Sequence, residues 1–251
     1  MESPTLVIVP GSFAPAKLYR GFTESLARHG IDSRVVDTPS VGRQGVLPPQ
    51  TMSDDADEII RVVSRLIGQG KEVVLMAHSY GGIPATQSLG KLSQKVREAQ
   101  GKEGGIRKII YVASILLQAG TANLDAFGSN LPDYLTVEDD YMRITPEGHA
   151  PVTFSDLPAE EALKLAKEMV YHSTPSFKEP LTYAGYGDVE VHYIVCEQDQ
   201  TIPPQFQRAM IEAVETSTGK DVKVHTLDSG HAPTNSQPDN VSKIVKGIIE
   251  G

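Results

Sequence analysis

Ser79 stands where a buried strand is predicted to turn sharply into a helix. Residues 73–77 form an apolar run, residues 78–82 read His-Ser-Tyr-Gly-Gly, and a helical pattern follows. Small residues two positions before and after the serine, Ala77 and Gly81, let the strand and helix backbones approach closely. Such a turn strains the serine and exposes its hydroxyl. The pattern predicts a nucleophile for acyl transfer, with an ordinary serine-capped turn as the alternative.

A serine hydroxyl is a weak nucleophile, so this chemistry needs a histidine base and an acid that orients the histidine. Among the seven histidines, His231 lies in a loop between the last predicted strand and the last helix. Asp199 follows the fifth predicted strand at the equivalent end. We predict His231 as the base, with an inert loop histidine as the alternative, and Asp199 as the acid. The rival carboxylates are Glu197, Asp228 and Asp125.

The other histidines are given different roles by their positions. His78 directly precedes the serine, and we expect it to contact the substrate. His172 follows Tyr171 at a predicted helix end, where a cation is favourable, with a place in a pocket wall as the alternative. The remaining four are assigned to an exposed helix, an inserted segment and two strands: His29, His149, His192 and His225.

Negative charge that develops on an oxygen during acyl transfer needs hydrogen-bond donors, which backbone N–H groups can supply. The N–H of Tyr80 lies at the start of the predicted helix, next to the serine. We expect the second donor in the loop after the first strand, where residues 9–13 read Val-Pro-Gly-Ser-Phe. Gly11 allows a sharp turn there, Ser12 offers its N–H, and Phe13 can form a pocket wall. A simple glycine-containing turn is the alternative.

Short β-rich runs alternate with longer amphipathic segments, a pattern typical of parallel strands covered by helices on both faces. Helices are predicted between most strands, for instance over 53–67, with Ser53 as the cap, and over 204–215. The fold class is therefore α/β, with a mostly parallel six-stranded sheet. The predicted strands are 6–9, 33–37, 72–77, 108–113, 190–196 and 222–227.

The alternation stops over residues 115–187, which separate the fourth and fifth strands. A connection this long predicts a lid with structure of its own. We expect it to be mainly helical, because residues 156–161 combine a capping Asp, a Pro and two Glu. It holds eight of the chain's 15 Phe and Tyr residues, which suits an apolar or aromatic substrate group. Tyr134 and Tyr171 are our candidates for substrate contact, and rings that only hold the lid together are the alternative.

Composition argues against several other classes of protein. Lys and Arg total 23 against 32 Asp and Glu, a net charge of −9, so the chain lacks the basic footprint of nucleic-acid and anionic-membrane binders. Cys196 is the single cysteine and no Cys and His pairs have zinc-ligand spacing, so we predict no metal site. With no signal peptide and no long apolar run, we expect a cytoplasmic monomer or homodimer that binds a small-molecule substrate.

Together these motifs resemble the α/β-hydrolase fold, and within it the small single-domain group of plant methylesterases, hydroxynitrile lyases and related microbial hydrolases. The resemblance implies a Ser79, His231 and Asp199 triad, an oxyanion hole from Ser12 and Tyr80, and no cofactor. With the lid at 115–187, the predicted core consists of residues 1–114 and 188–251. Two positions depart from the group: Pro10 replaces a histidine, and Ala232 replaces the lysine that follows the histidine in the lyases.

The motifs and the resemblance predict a serine hydrolase acting on a carboxylic ester or lactone of a small, largely apolar or aromatic molecule. Two alternatives stay open. One is a ligand receptor on a hydrolase frame. The other is a lyase or cyclase of small-molecule biosynthesis, in which the same side chains move protons without an acyl intermediate.

Overall fold

The computed structural model describes residues 4–43, 48–127 and 131–251, without the side chain of Phe127. These residues form a parallel sheet, a smaller antiparallel sheet and flanking helices. None of the helices in these ranges is both long and apolar enough to cross a membrane. The described strands are β1 (Thr5–Val9), β2 (Ser33–Val35), β3 (Val73–His78), β4 (Lys108–Val112), β5 (Leu135–Glu138), β6 (Tyr141–Ile144), β7 (His172–Ser173), β8 (Glu190–Cys196) and β9 (Lys223–Leu227). The described α-helices are α1 (Arg20–Arg28), α2 (Met52–Gly68), α3 (Gly82–Leu92), α4 (Gln94–Ala99), α5 (Asn123–Phe127), α6 (Pro146–Thr153), α7 (Ala159–Lys167), α8 (Pro175–Lys178), α9 (Pro204–Thr218), α10 (Pro233–Ser236) and α11 (Pro238–Glu250).

The larger sheet has the strand order β2-β1-β3-β4-β8-β9, and each neighbouring pair is parallel. This confirms the predicted α/β class and the six-stranded parallel sheet, with strand ends that lie within two residues of those predicted. Because β1 and β3 are neighbours, the loops at their carboxyl ends lie side by side. In open α/β sheets, ligands bind at this edge.

Side chains of the sheet alternate between two hydrophobic cores. In β1, Leu6 and Ile8 pack with residues of α1 and α11, whereas Val7 and Val9 pack with residues of α2, α3 and α9. The alternation follows from the two-residue repeat of a strand. Because helices cover both faces, the central strands are mostly apolar. Packing in the two cores thus fixes the positions of the strands and of the loops at their carboxyl ends.

Helix α2 begins one residue earlier than predicted, because its N-cap is Thr51 and not Ser53. Thr51 Oγ1 accepts a hydrogen bond from the N–H of Asp54, whose carboxylate accepts one from the N–H of Thr51. This reciprocal pair is a capping box. Ser53 instead donates its hydroxyl and its N–H to the carboxylate of Glu179 in the inserted segment. The pattern located the helix correctly, but the predicted capping residue was wrong.

The segment at residues 115–187 contains α5 to α8 and also an antiparallel sheet in the order β5-β6-β7. The sequence pattern does not predict this sheet, because its strands are only 4, 4 and 2 residues long and depend on their pairing. Helix α7 follows Pro158 at its N-cap, whereas the predicted cap, Asp156, accepts a hydrogen bond from the Ser236 hydroxyl. The division into a core and a lid stays a prediction.

Candidate active site

Ser79 lies at the turn between β3 and α3 with a backbone φ of +54°. A positive φ is unfavourable for a residue with a side chain and persists only where the surroundings hold it. Here two groups at the end of β4 hold the Ser79 carbonyl, since the Ser114 hydroxyl donates to it at 2.9 Å and the Ile115 N–H at 3.0 Å. The strained turn expected from the sequence is therefore present.

Two glycines after the serine let the turn fit between its neighbours. A Cβ on Gly81 would lie 2.7 Å from the carbonyl oxygen of Val9 and still closer to that of Pro10. A Cβ on Gly82 would lie 2.5 Å from the carbonyl oxygen of Ile115. Only glycine leaves room for these backbone contacts, which explains the Gly-Gly pair of the motif.

The structure brings Ser79, His231 and Asp199 into one line of hydrogen bonds, although 152 positions separate the serine from the histidine. His231 Nε2 lies 2.9 Å from Ser79 Oγ, and His231 Nδ1 lies 2.8 Å from Asp199 Oδ2. All three residues are nearly buried, with 6%, 4% and 3% of their surfaces exposed. A carboxylate on Nδ1 keeps the proton there and leaves Nε2 free to accept the serine proton.

Asp199 is held by groups beyond the histidine. Its Oδ1 accepts hydrogen bonds from the N–H groups of Thr201 and Ile202, and its Oδ2 accepts one from the Gln207 side chain. These donors stabilise the ionised carboxylate and fix its orientation. The rival carboxylates bind elsewhere: Glu197 pairs with Arg208, Asp228 accepts from Gln198, and Asp125 accepts from the N–H of Ala122.

His78 links the loop after β1 to the loop that carries His231. Tyr19 Oη accepts the N–H of Gly11 at 2.9 Å and donates to His78 Nδ1 at 2.8 Å. The opposite nitrogen of His78, Nε2, donates to the carbonyl oxygen of His231 at 2.8 Å. Burial lowers the pKa of His78 to about 3, so the ring stays neutral. His78 lines a cavity, yet both its nitrogens are engaged by the protein, which does not agree with a polar contact to substrate.

The loop after β1 lies against the serine turn. A Cβ on Gly11 would stand 3.1 Å from Ser79 Cβ, so the loop and the turn are in contact. Among the described residues, the N–H groups of Ser12 and Tyr80 have no hydrogen-bond partner. Both residues adjoin Ser79, in the chain or in the cavity wall. Two unpaired donors beside a hydroxyl are the arrangement that an oxyanion hole requires.

Two cavities meet at Ser79 and share Ser12, His149 and Thr201 in their walls. The first, called here the His231-side cavity, has a volume of about 40 Å³. The second, called the apolar cavity, is larger, with a volume of about 170 Å³. Within the described ranges, no three His, Cys, Asp or Glu side chains are grouped so as to hold a metal ion. The apolar cavity is lined by Ile115, Leu124, Leu131, Pro132, Leu135 and Phe177, among others.

Of the four predicted substrate-contact residues, three lie at these cavities, His78 among them, and one does not. Phe13 and Tyr134 line the apolar cavity. Tyr171 lines neither cavity, and its ring packs edge-on against Tyr141, 6.4 Å away, with the guanidinium of Arg43 over it at 5.7 Å. Consecutive side chains of an extended segment point to opposite sides. Because the side chain of His172 in β7 is buried, that of Tyr171 points away from the cavities. The expectation for Tyr171 is corrected accordingly.

Sequence reasoning missed two buried polar groups behind the site. His172, expected at a helix end, lies in β7, where its Nδ1 accepts the N–H of Phe13 at 3.2 Å and burial lowers its pKa to about 3. Asp55 is fully buried on α2, and burial raises its pKa to about 6. One signal was available for Asp55. It precedes the core residue Ile59 by four positions, which places it on the buried face of the helix.

Comparison with known proteins places this geometry in a family. The profile of the Alpha/beta hydrolase family matches residues 6–244. The chain is 36% identical to a protein named "Probable hydrolase R7" from Phoma sp., over 98% of both chains. It is 24% identical to "Methyl jasmonate esterase 1" from Vitis vinifera, covering 97% of this chain and 96% of that one. A pyrethroid hydrolase from Sphingobium faniae JZ-2 superposes with a TM-score of 0.76 at 18% identity, covering 99% and 98% of the two chains.

Proposed function

This chain belongs to the alpha/beta hydrolase family, and from that premise we propose that it is a serine hydrolase of carboxylic esters or lactones that works through an acyl-enzyme. The observation that carries the proposal is the unbroken line of hydrogen bonds from Ser79 Oγ through His231 to Asp199. The strained turn at Ser79 and the unpaired N–H groups of Ser12 and Tyr80 support the same chemistry.

In the proposed reaction Ser79 Oγ attacks the carbonyl carbon of the substrate while His231 Nε2 takes the hydroxyl proton. The N–H groups of Ser12 and Tyr80 then stabilise the charge on the carbonyl oxygen, and Asp199 stabilises the imidazolium. As the tetrahedral intermediate collapses, the ester bond breaks and His231 gives the proton to the departing alcohol oxygen. A water molecule, deprotonated by His231, cleaves the acyl-enzyme in the same two steps and regenerates Ser79.

The two cavities suggest where each part of the substrate binds. The departing oxygen must reach His231 Nε2 to receive its proton, so the alcohol occupies the smaller, His231-side cavity. The acyl group then fills the larger apolar cavity, whose leucine, proline and phenylalanine walls suit an apolar group. The names of two similar proteins, methyl jasmonate esterase and methylesterase 9, agree with a small alcohol. We therefore propose esters of small alcohols with apolar acids, or lactones of similar shape.

The proposal is tested with a fluorophosphonate probe and a panel of methyl esters of graded acyl length. We expect the probe to label Ser79 in the folded chain and the panel to be hydrolysed. Ser79→Ala should lose both labelling and hydrolysis, and Ser217→Ala, which changes a hydroxyl on α9 outside both cavities, should still be labelled. An unlabelled serine in the folded wild type would exclude the acyl-enzyme. Hydrolysis that survives in Ser79→Ala would point to chemistry without this nucleophile.

A further inference from the structure

His149, on α6 of the inserted segment, carries a buried polar atom that no protein group satisfies. Its ring lines both cavities next to Ser79, and the residue is 6% exposed. Among the described residues its Nδ1 has no hydrogen-bond partner. An unpaired buried nitrogen is costly to keep. At the wall of a ligand cavity, the expected explanation is a hydrogen bond that the ligand supplies.

The contacts around the ring decide whether Nδ1 donates or accepts. His149 Nε2 lies 2.9 Å from Thr153 Oγ1, which lies 3.4 Å from Thr201 Oγ1. Thr201 directs its single hydroxyl proton to the carbonyl oxygen of Val152 at 3.3 Å. The one arrangement that uses all three contacts has Thr153 donating to Thr201 and accepting the proton on His149 Nε2. This assignment satisfies all three contacts and leaves Nδ1 as an unprotonated nitrogen that can accept a hydrogen bond.

The ring is neutral, because burial and, to a smaller extent, the nearby His231 lower the pKa of His149 to about 4. A neutral acceptor binds a hydroxyl and has no attraction for a carboxylate. Its orientation is set by two rings that line only the apolar cavity: Tyr134, with ring centres 5.3 Å apart, and Phe13, at 6.1 Å. Thr153, which holds Nε2, lines only the His231-side cavity. The ring thus borders the apolar cavity, where the acyl group is proposed to bind.

We propose that His149 is a specificity-determining residue whose Nδ1 accepts a hydrogen bond from a hydroxyl on the acyl part of the substrate. The preferred substrate class is then a hydroxy acid ester, apolar apart from that hydroxyl. This inference rests on the proposed ester hydrolysis and adds to it the chemical group that the inserted segment recognises. His149 does not take part in bond breaking, so its loss should change selectivity more than the rate on plain esters.

The test compares kcat/KM for three sets of methyl esters: unsubstituted, hydroxylated at each successive acyl carbon, and carrying a ketone at the same carbons. The wild type should prefer one hydroxylated ester over its unsubstituted partner about three- to tenfold, the range of one neutral hydrogen bond. His149→Phe keeps a ring against Phe13 and Tyr134 and should reduce this ratio to about one, while it still cleaves the unsubstituted ester. Thr153→Ser keeps the hydroxyl that accepts the Nε2 proton, and should retain the preference.

Each other outcome has a defined meaning. An equal ratio in the wild type and His149→Phe would overturn the inference and leave the esterase proposal intact. Preference for the ketone would overturn the acceptor assignment. A wild type that cleaves no ester and leaves Ser79 unlabelled would overturn both proposals. Should His149→Phe fail to fold, long-range proton–nitrogen NMR on the wild type decides, because a proton on His149 Nδ1 instead of Nε2 would contradict the inference.

Discussion

Tyr80 Oη donates a 2.7 Å hydrogen bond to Oδ2 of Asp55. The same carboxylate accepts the N–H of Ser40 at 2.8 Å and its hydroxyl at 2.6 Å. Tyr80 directly follows Ser79, and its ring stacks on Phe177 with centres 5.2 Å apart. The side chain of Tyr80 is thus anchored to helix α2. This anchor positions the backbone N–H that we propose as an oxyanion donor.

Removing the anchor should weaken both stability and turnover. We expect Tyr80→Phe to lower the free energy of unfolding by about 1–3 kcal/mol, because it leaves buried Asp55 with one donor fewer. It should lower kcat for a plain methyl ester more than it raises KM, since the oxyanion donor acts in the transition state. Urea unfolding and steady-state kinetics measure the two effects. Tyr183→Phe, which removes an exposed hydroxyl bonded to Asp188, is the matched control and should leave kcat unchanged.

Asp55 should make stability depend on pH in a definite direction. Its pKa is about 6 in the folded chain against 3.8 for an ordinary Asp, so between these values the folded chain binds the proton more tightly. Its contribution to the free energy of unfolding therefore falls as pH rises from about 4 to about 6 and is constant above. Asp55→Asn lacks this contribution. The unfolding free energy of the variant minus that of the wild type should rise across this window, and a constant difference would contradict the assignment.

The control for this measurement is Asp57→Asn, which removes a carboxylate from the exposed side of the same helix. Both variants lose one acidic group, so a general effect of net charge appears in both. Only a pH effect confined to Asp55→Asn reports the buried network with Ser40 and Tyr80.

A methyl group on Gly81 should destabilise the serine turn. It would collide with the carbonyl oxygens of Val9 and Pro10, which are backbone atoms of the sheet and cannot move aside. We expect Gly81→Ala to lower the free energy of unfolding by about 1–3 kcal/mol or more. Gly247→Ala is the opposite control, because a Cβ on Gly247, in the exposed part of α11, would have no neighbouring atom within 4 Å. We expect this alanine to raise the free energy of unfolding by about 0.5–1 kcal/mol. Thermal or urea unfolding of both variants checks the contrast.

The size of the departing alcohol should be set by Met169. This side chain lines the His231-side cavity and not the apolar one. We expect Met169→Ala to raise the kcat/KM for a butyl ester relative to its methyl ester about tenfold, because the shortened side chain makes room for extra methylenes. Leu124→Ala enlarges only the apolar cavity and should leave that ratio unchanged. A change in the ratio only in Leu124→Ala would reverse our placement of the alcohol and acyl groups.

The fold class was predictable because its signals are local. The residues that form one apolar run or one helical pattern lie within about 15 positions of one another. These patterns predicted the six strands of the larger sheet in their order along the chain. The small sheet of the inserted segment was not predictable, since a strand as short as β7 exists only through its partner. The capping residue of α2 was also missed, because Thr51 and Ser53 are similar hydroxyl residues and only the paired contact with Asp54 separates them.

By itself, the sequence determined the scaffold and the turn at Ser79, because the residues that shape them are neighbours in the chain. Only the tertiary structure decided which carboxylate reaches His231, that Tyr171 faces away from the cavities, and that Asp55 and His149 are buried beside the site. Those outcomes depend on contacts between distant segments. A shift of one residue along a strand or a helix changes the side that a side chain faces, and only packing selects among the alternatives.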